Sequence, residues 1–220
     1  MTVRAALFDL DGTLVDSLED LTEAVNHMLA GFGRPSMTTV SVRPLIGKGA
    51  HNLVRRALET ESEEAITRGI ELFVAFNIDH VVDKSALYPG VPEALRQLAA
   101  NGIRLVVISN KHESLCRLIT EALGIAELFE IICGGDTFEE MKPSPLPLLR
   151  VLERLGIAAP EAVMVGDSIN DIQAGQQAGI TTIGCTWGYG GLEELAGADH
   201  RAASPRDMTA ILLNGTLAGC

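Results

Sequence analysis

Apolar residues along this chain follow two alternating rhythms. Short β-rich runs, each closed by Gly, Ser, Asn or Asp, occur at Ala5 to Phe8, Arg104 to Ile108, Glu130 to Cys133, Ala162 to Val165 and Thr181 to Cys185. Between them the apolar positions take helical spacing. Leu95, Leu98 and Ala99 follow Pro92 and stop before Gly102, matching helix start and stop signals. Leu115, Ile119 and Leu123 repeat the pattern up to Gly124, Leu148, Leu149, Leu152 and Leu155 do so before Gly156, and Ile172 to Ala178 before Gly179. Strands that are nearly continuous apolar runs and alternate with helices predict a parallel sheet covered on both faces. The expected fold class is therefore α/β, with a doubly wound, Rossmann-like core.

One stretch breaks the alternation. From Ser17 to about Lys84 only helical periodicity is present, with Leu18, Leu21, Val25, Met28 and Leu29 on one face and Ile66, Ile70 and Phe73 on another. Tyr88-Pro89-Gly90 reads as the turn that brings the chain back. The pattern predicts an all-helical cap inserted after strand one, over residues 16–84, with the core formed by 1–15 and 85–220. No internal repeat or low-complexity tract is visible.

Composition narrows the function. The 220 residues carry 17 Lys+Arg against 29 Asp+Glu, a formal charge of −12, and only nine aromatics. A nucleic-acid binder needs a basic footprint and stacking platforms, so nucleic acid and anionic membranes are excluded as partners. With 47% hydrophobic residues and a mean hydropathy of +0.23, the chain can bury a full core. The longest uncharged stretch, Ile172 to Leu192, holds three Gln and six Gly and is not apolar enough for a bilayer. The opening apolar segment meets Asp9 too early for a signal peptide, so a cytoplasmic protein is expected. Cys116, Cys133, Cys185 and Cys220 show no metal-ligand spacing and read as reduced thiols, with Cys220 at a fraying end.

In open α/β sheets the ligand sits beyond the carboxyl ends of the strands, so the residues just after each strand carry the chemistry. Strand one is followed by Asp9-Leu10-Asp11-Gly12-Thr13. Alternating side-chain direction would put Asp9 and Asp11 on one side, and Gly12 allows close backbone approach. The later strands deliver Ser109-Asn110-Lys111, then Gly134-Gly135-Asp136 with Lys142-Pro143, then Gly166-Asp167-Ser168-Ile169-Asn170-Asp171. Gathered carboxylates repel by roughly 4 kcal/mol per pair at about 4 Å and an effective dielectric near ~20. A divalent cation would offset that cost, and oxygen-only ligands favour Mg²⁺ over Zn²⁺. A cation on carboxylates, with a hydroxyl and an ammonium beside it, describes a site for a phosphoryl group.

In this order and register, Asp9-x-Asp11-Gly12-Thr13, Ser109-Asn110, Lys142-Pro143 and Gly166-Asp167-Ser168-x-x-Asp171 resemble the four motifs of the haloacid dehalogenase superfamily of phosphohydrolases. The resemblance implies Asp9 as the nucleophile that forms an aspartyl-phosphate and Asp11 as acid to the leaving oxygen, then base to water. It implies Mg²⁺ on the Asp9 carboxylate, the Asp11 backbone carbonyl and Asp167, with Asp171 close behind. Ser109 and the Asn110 amide would hold phosphate, Gly12 would approach it closely, and Lys142 would bind phosphate and Asp9. Coordination of Asp11 through its carbonyl suits that division, because a metal on its carboxylate would spoil it as an acid. In the dehalogenases of the superfamily the second Asp is absent, so its presence here favours ester hydrolysis.

Leu14-Val15-Asp16-Ser17, Ile46-Gly47-Lys48-Gly49-Ala50, Leu53-Val54-Arg55-Arg56-Ala57-Leu58, Ser109-Asn110-Lys111, Gly134-Gly135-Asp136-Thr137 and Trp187-Gly188-Tyr189-Gly190 are similar to the bacterial phosphoglycolate phosphatase family. That family usually has Thr at the position of Ser109 and often Asn at that of Lys48. The resemblance implies hydrolysis of 2-phosphoglycolate, with pyrophosphate, sugar phosphates, nucleotide monophosphates or phosphomutase chemistry as rivals. A phosphate-sensing protein on the same scaffold is the non-catalytic alternative. The expected partner is a small phosphate ester met by a monomer or homodimer.

Plainer roles stand beside these. Asp9 and Asp11 could form an Asx turn with Gly12, Ser168 to Asp171 a helix capping box, and Lys142 a solvated helix-start lysine. Lys111 reads as a surface or supporting cation that could also meet substrate, and Asp136 as a cap for the next turn. In the cap, Lys48 with Arg55 could close over a substrate carboxylate, while His51 reads as a polar helix-start residue. Trp187 and Tyr189 read as packing residues.

Overall fold

The computed structural model describes residues 2–214. The chain begins with β1 (Ala5–Phe8) and the two-residue β2 (Val15–Asp16), then enters four helices: α1 (Leu18–Gly31), α2 (Thr39–Val42), α3 (Gly49–Leu58) and α4 (Glu63–Asp79). It returns through β3 (Ala86–Leu87), which pairs antiparallel with β2. The alternation resumes with α5 (Val91–Ala100), β4 (Arg104–Ile108), α6 (Glu113–Ala122), β5 (Ile131–Cys133), α7 (Leu146–Leu155), β6 (Ala162–Gly166), α8 (Ile169–Ala178) and β7 (Thr181–Cys185). It ends with β8 (His200–Ala202) and α9 (Pro205–Asn214).

Six parallel strands lie in the order β5, β4, β1, β6, β7, β8. The chain builds outward from β1 to β4 and β5, then crosses back to lay β6 on the other side of β1. The strand order therefore reverses beside β1, which opens a crevice at its carboxyl end. Both faces of the sheet are dry, as the continuous apolar runs require. Ala6 and Phe8 join Leu95 and Leu98 of α5, Cys116 and Ile119 of α6, and Met208 and Leu212 of α9. Ala5 and Leu7 point the other way, into Leu148 and Val151 of α7 and Ala174 and Ala178 of α8.

The four helices between β2 and β3 bury a core of their own, in which Val25, Met28 and Leu29 meet Val54, Leu58, Ile66 and Phe73. This is the helical cap on a Rossmann-like core. Its two connections to the core are tied together at Asp20, a buried residue of α1. The Asp20 carboxylate accepts from the Lys84 N–H at 3.1 Å, the Ser85 N–H at 2.8 Å and the Ser85 hydroxyl at 2.5 Å.

Four elements lay outside the pattern read from sequence. β2 and β3 are two residues long, too short for any periodicity, and β8 is a polar sheet-edge strand, His-Arg-Ala, with α9 behind it. Cys116, Cys133 and Cys185 are buried and free, as expected of reduced thiols. Burial pushes the Cys133 thiol up to about 11 and raises those of Cys116 and Cys185 well above the ordinary thiol value. Cys220 lies outside the described residues. No helix among the described residues is long and apolar enough to cross a membrane.

Replacing Asp20 strands two backbone N–H groups at the joint between cap and core. Asp20→Ala is expected to lower stability by about 1–3 kcal/mol in urea melts and to hasten proteolysis between residues 84 and 87. Unchanged stability and cleavage would show that the joint is held by other contacts.

Candidate active site

β1 ends at Phe8, and Asp9 continues its line with its N–H bonded to the Val165 carbonyl of β6 at 2.9 Å. The chain then coils tightly, with the Gly12 N–H on the Val15 carbonyl at 2.8 Å and the Val15 N–H on the Leu10 carbonyl at 3.0 Å. Gly12 has a φ of +85°, and a Cβ there would fall 2.3 Å from Asp167 Oδ2. Glycine is thus required on both counts. Asp9 and Asp11 share the expected side, but the turn puts them there, since the strand has already ended.

Asp167 and Asp171 come from the end of β6 and the first turn of α8. Asp171 packs against Gly166, where a Cβ would lie 2.2 Å from its carboxyl carbon. Asp171 Oδ2 accepts from the Ser168 N–H at 3.0 Å and the Ser168 hydroxyl at 2.7 Å, so its expected half of a capping box is formed. Asp167 Oδ2 accepts from the Tyr189 N–H at 2.6 Å and the Gly190 N–H at 3.3 Å, and Oδ1 from the Thr13 hydroxyl at 3.3 Å.

Lys142 lies between two of these carboxylates, its ammonium 2.8 Å from Asp9 Oδ1 and 2.6 Å from Asp171 Oδ1. All four groups are buried. Asp9, Asp167 and Asp171 each bring one oxygen within 4.8 Å of the others, yet only one ammonium stands among them. Burial, with the charges of Asp9 and Asp171, pushes the Asp167 carboxyl up to about 8. Burial raises Asp9 to about 6, with Lys142 opposing and Asp171 adding to the rise. Burial opposes the charge on Lys142, but the Asp171 and Asp9 carboxylates outweigh it and hold the lysine above its ordinary value. Three carboxylates against one ammonium leave two negative charges, and the donors are all oxygen. That set fits a divalent cation.

Asp11 stands apart from the trio. Lys111 Nζ lies 2.9 and 2.8 Å from its two oxygens, and the Ser17 hydroxyl donates to Oδ1 at 2.5 Å. Ser109 is buried at the end of β4, its Oγ accepting from the Lys111 N–H at 3.3 Å. The Asn110 side-chain amide donates to the Lys142 carbonyl at 2.7 Å and to the Gly47 carbonyl of the cap at 2.9 Å. Asn170 donates to the same Gly47 oxygen at 3.1 Å. Two spaces open at Asp9 and Asp11. One, about 50 Å³, is walled by Leu21, Ile46, Leu53, Phe73 and Leu115, with Ser109 and Lys111 in its lining. The other, about 450 Å³, is lined by Arg43, Lys48, Asp167, Asn170 and Glu194 among others.

The residues expected from sequence thus meet at one edge of the sheet, and Lys48 lines the wider space. Arg55 does not join them: it pairs with Glu61 at 2.8 Å on the exposed side of the cap. Asp136 accepts from the Glu113 N–H at 2.8 Å and caps α6. Two residues do more than the sequence suggests, Lys111 and Tyr189, and a third, Arg43, is not marked in it. Lys111 is buried against Asp11. Tyr189 holds Asp167 through its N–H, while its hydroxyl accepts from the Ser17 N–H at 2.6 Å and donates to Asp16 at 3.1 Å. Arg43 reaches from the cap to the Gly188 and Tyr189 carbonyls at 2.7 and 3.0 Å. The Gly-rich setting of Trp187 to Gly190 was the available signal for Tyr189; nothing local marked Arg43.

A helical cap over a polar crevice at the switch point of a doubly wound sheet defines a capped Rossmann-like protein with an acidic, lysine-bearing site. The profile of the family described as "Haloacid dehalogenase-like hydrolase" matches residues 6–185, and the chain belongs to that family. It is 39% identical over 218 residues to the phosphoglycolate phosphatase of Chromobacterium violaceum, covering 97% of this chain and 98% of that one. It is 42% identical over 198 residues to the phosphoglycolate phosphatase of Yersinia pseudotuberculosis, covering 88% and 85%. The crystal structure of a predicted phosphoglycolate phosphatase from Haemophilus somnus superposes with a TM-score of 0.91 at 32% identity, covering 96% and 98%.

The raised carboxyls fix a pH dependence. Because Asp9 and Asp167 hold protons in the folded chain above the ordinary carboxylate value of 3.8, the folded state binds more protons than the unfolded state up to about 6 and about 8 respectively. Stability without metal must then fall as pH rises through that window and level off above it. Thermal melts in chelator between pH ~5.5 and ~8.5 should show a falling Tm, with a shallower fall in Asp167→Asn. Parallel or rising curves would contradict the assignment.

Proposed function

We propose that this chain is a Mg²⁺-dependent phosphomonoesterase that hydrolyses 2-phosphoglycolate to glycolate and phosphate through an aspartyl-phosphate. The buried trio Asp9, Asp167 and Asp171 with its single lysine carries the reading. Relatives about 40% identical that are named phosphoglycolate phosphatase support the substrate.

In the proposed mechanism Lys142 fixes Asp9 Oδ1, which leaves the other carboxylate oxygen to attack phosphorus in line with the ester oxygen. The P–O ester bond breaks as the aspartyl-phosphate bond forms. Asp11 gives its proton to the departing alkoxide, then takes one from the water that attacks phosphorus and restores Asp9. Ser109, the Asn110 backbone N–H and Lys142 bind the non-bridging oxygens. The Asn110 side-chain amide is already committed to Gly47 and Lys142. The Asp9 and Asp167 carboxylates and the Asp11 carbonyl would hold Mg²⁺, with Asp171 behind them. The ion's chemistry is to screen the repulsion between an attacking carboxylate and an anionic phosphoryl group. Gly12 leaves room for that approach. Residues 16–84 form the cap, which excludes bulk water, and its Lys48 draws the phosphate dianion into the wider space. The remaining described residues form the core, in a cytoplasmic enzyme.

Asp9→Asn should lower phosphate release by at least about 10³-fold, with the circular dichroism and melting curve of a folded chain. Activity retained on any phosphate ester would refute the nucleophile. Across a panel at equal concentration, kcat/KM for 2-phosphoglycolate should exceed those for pyrophosphate, hexose phosphates and nucleoside monophosphates by about tenfold or more. A preference for pyrophosphate or a hexose phosphate would overturn the substrate and leave the chemistry standing.

A further inference from the structure

The cations around the crevice are unequally occupied. Lys142 is shared by Asp9 and Asp171, the Arg43 guanidinium by two backbone carbonyls, and Arg55 is bound to Glu61 outside. Lys111 differs from all of these. An ammonium carries three N–H donors, and among the described residues the side-chain acceptors found for Lys111 are the two oxygens of one carboxylate, Asp11. The Lys111 side chain is only 8% exposed, so bulk water has little access to the remaining donor.

The surroundings give that donor a direction. Lys111 lines the narrower space, whose apolar walls are Leu21, Ile46, Leu53, Phe73 and Leu115 and whose polar lining includes Asp9, Asp11, Ser109 and His112. Its backbone is fixed at both ends: the N–H bonds Ser109 Oγ at 3.3 Å, and the carbonyl accepts from the Gly135 N–H at 2.8 Å. The lysine therefore stands beside the hydroxyl proposed to hold phosphate. A volume of about 50 Å³ suits a leaving group of a few heavy atoms. A carboxylate entering apolar walls is costly unless paired. Asp11 can share the lysine, because the Ser17 hydroxyl remains on it at 2.5 Å.

We infer that Lys111 is the specificity-determining residue, whose ammonium receives the carboxylate of a small phosphorylated hydroxy acid while the phosphoryl group lies between Asp9 and Ser109. The assignment rests on the phosphomonoesterase reading above and deepens it. Lys48 lines the wider space with Asp9 and Asp167, apart from the narrower one, and on this assignment does not discriminate among leaving groups.

Ethyl phosphate separates these roles, since it has a methyl group where 2-phosphoglycolate has its carboxylate. In steady-state kinetics, Lys111→Met should lower the ratio of kcat/KM for 2-phosphoglycolate to that for ethyl phosphate by about tenfold or more, mainly through the KM for 2-phosphoglycolate. Lys111→Gln, a second neutral variant that keeps a polar tip, should lower it in the same direction. Lys48→Met should slow both esters together and leave the ratio within about threefold. A ratio that survives both Lys111 variants, or one that collapses in Lys48→Met instead, overturns the assignment. A wild-type enzyme that hydrolyses ethyl phosphate and not 2-phosphoglycolate overturns the substrate reading itself, and Lys111's part with it.

Discussion

The structure turns on one imbalance of charge: three carboxylates and a single ammonium are taken out of water together at the centre of the sheet edge. Lys142 touches Asp9 and Asp171 and leaves Asp167 with neutral donors only. A buried ion pair of good geometry roughly offsets its own desolvation, whereas an uncompensated buried carboxylate does not. The site is accordingly held at a cost in the metal-free chain, and the surrounding fold must impose it. Raised carboxyl pKa values at Asp9 and Asp167 are the signature of that imposition.

The means of imposition lie in the backbone. β1 is the middle of a sheet buried on both faces, so Asp9 cannot retreat without breaking its bond to Val165. Gly12 and Gly166 lack the Cβ atoms that would push Asp167 and Asp171 away. The Tyr189 and Gly190 N–H groups fix Asp167 from the far side, and Arg43 fixes that same loop from the cap. The cap is thereby joined to the charge cluster at two places, the Gly47 carbonyl shared by Asn110 and Asn170 being the second. The same contacts therefore hold the cap and steady the site.

Much of this was legible in the sequence because it is local. Continuous apolar runs such as Ala5 to Phe8 encode a strand buried on both faces, and the residues following each strand must sit at its carboxyl end. Hence Asp9, Ser109 and Asp167 belong to one sheet edge on local pattern alone, and Lys142 joins them through its motif. Interactions across the cap and core were not legible. Nothing adjacent to Arg43 announces Gly188 and Tyr189 as its partners, and Arg55, two turns beyond Lys48, proved to bind Glu61 instead. Lys111 sat inside a motif, but its neighbour Asp11 is 100 residues away, so its burial could not be read. The strands β2 and β3 escaped because two residues carry no period.

The central claim is that the net charge of two left by the three carboxylates and Lys142 is what a divalent ion neutralises. Calorimetric titration of Mg²⁺ into the substrate-free chain at pH ~6.5, repeated in buffers of different ionisation enthalpy, counts both ions and displaced protons. One ion per chain, with net proton release from the raised carboxyls and loss of binding in Asp167→Asn, is the predicted result. Binding without proton release, or binding unaltered by Asp167→Asn, would contradict it.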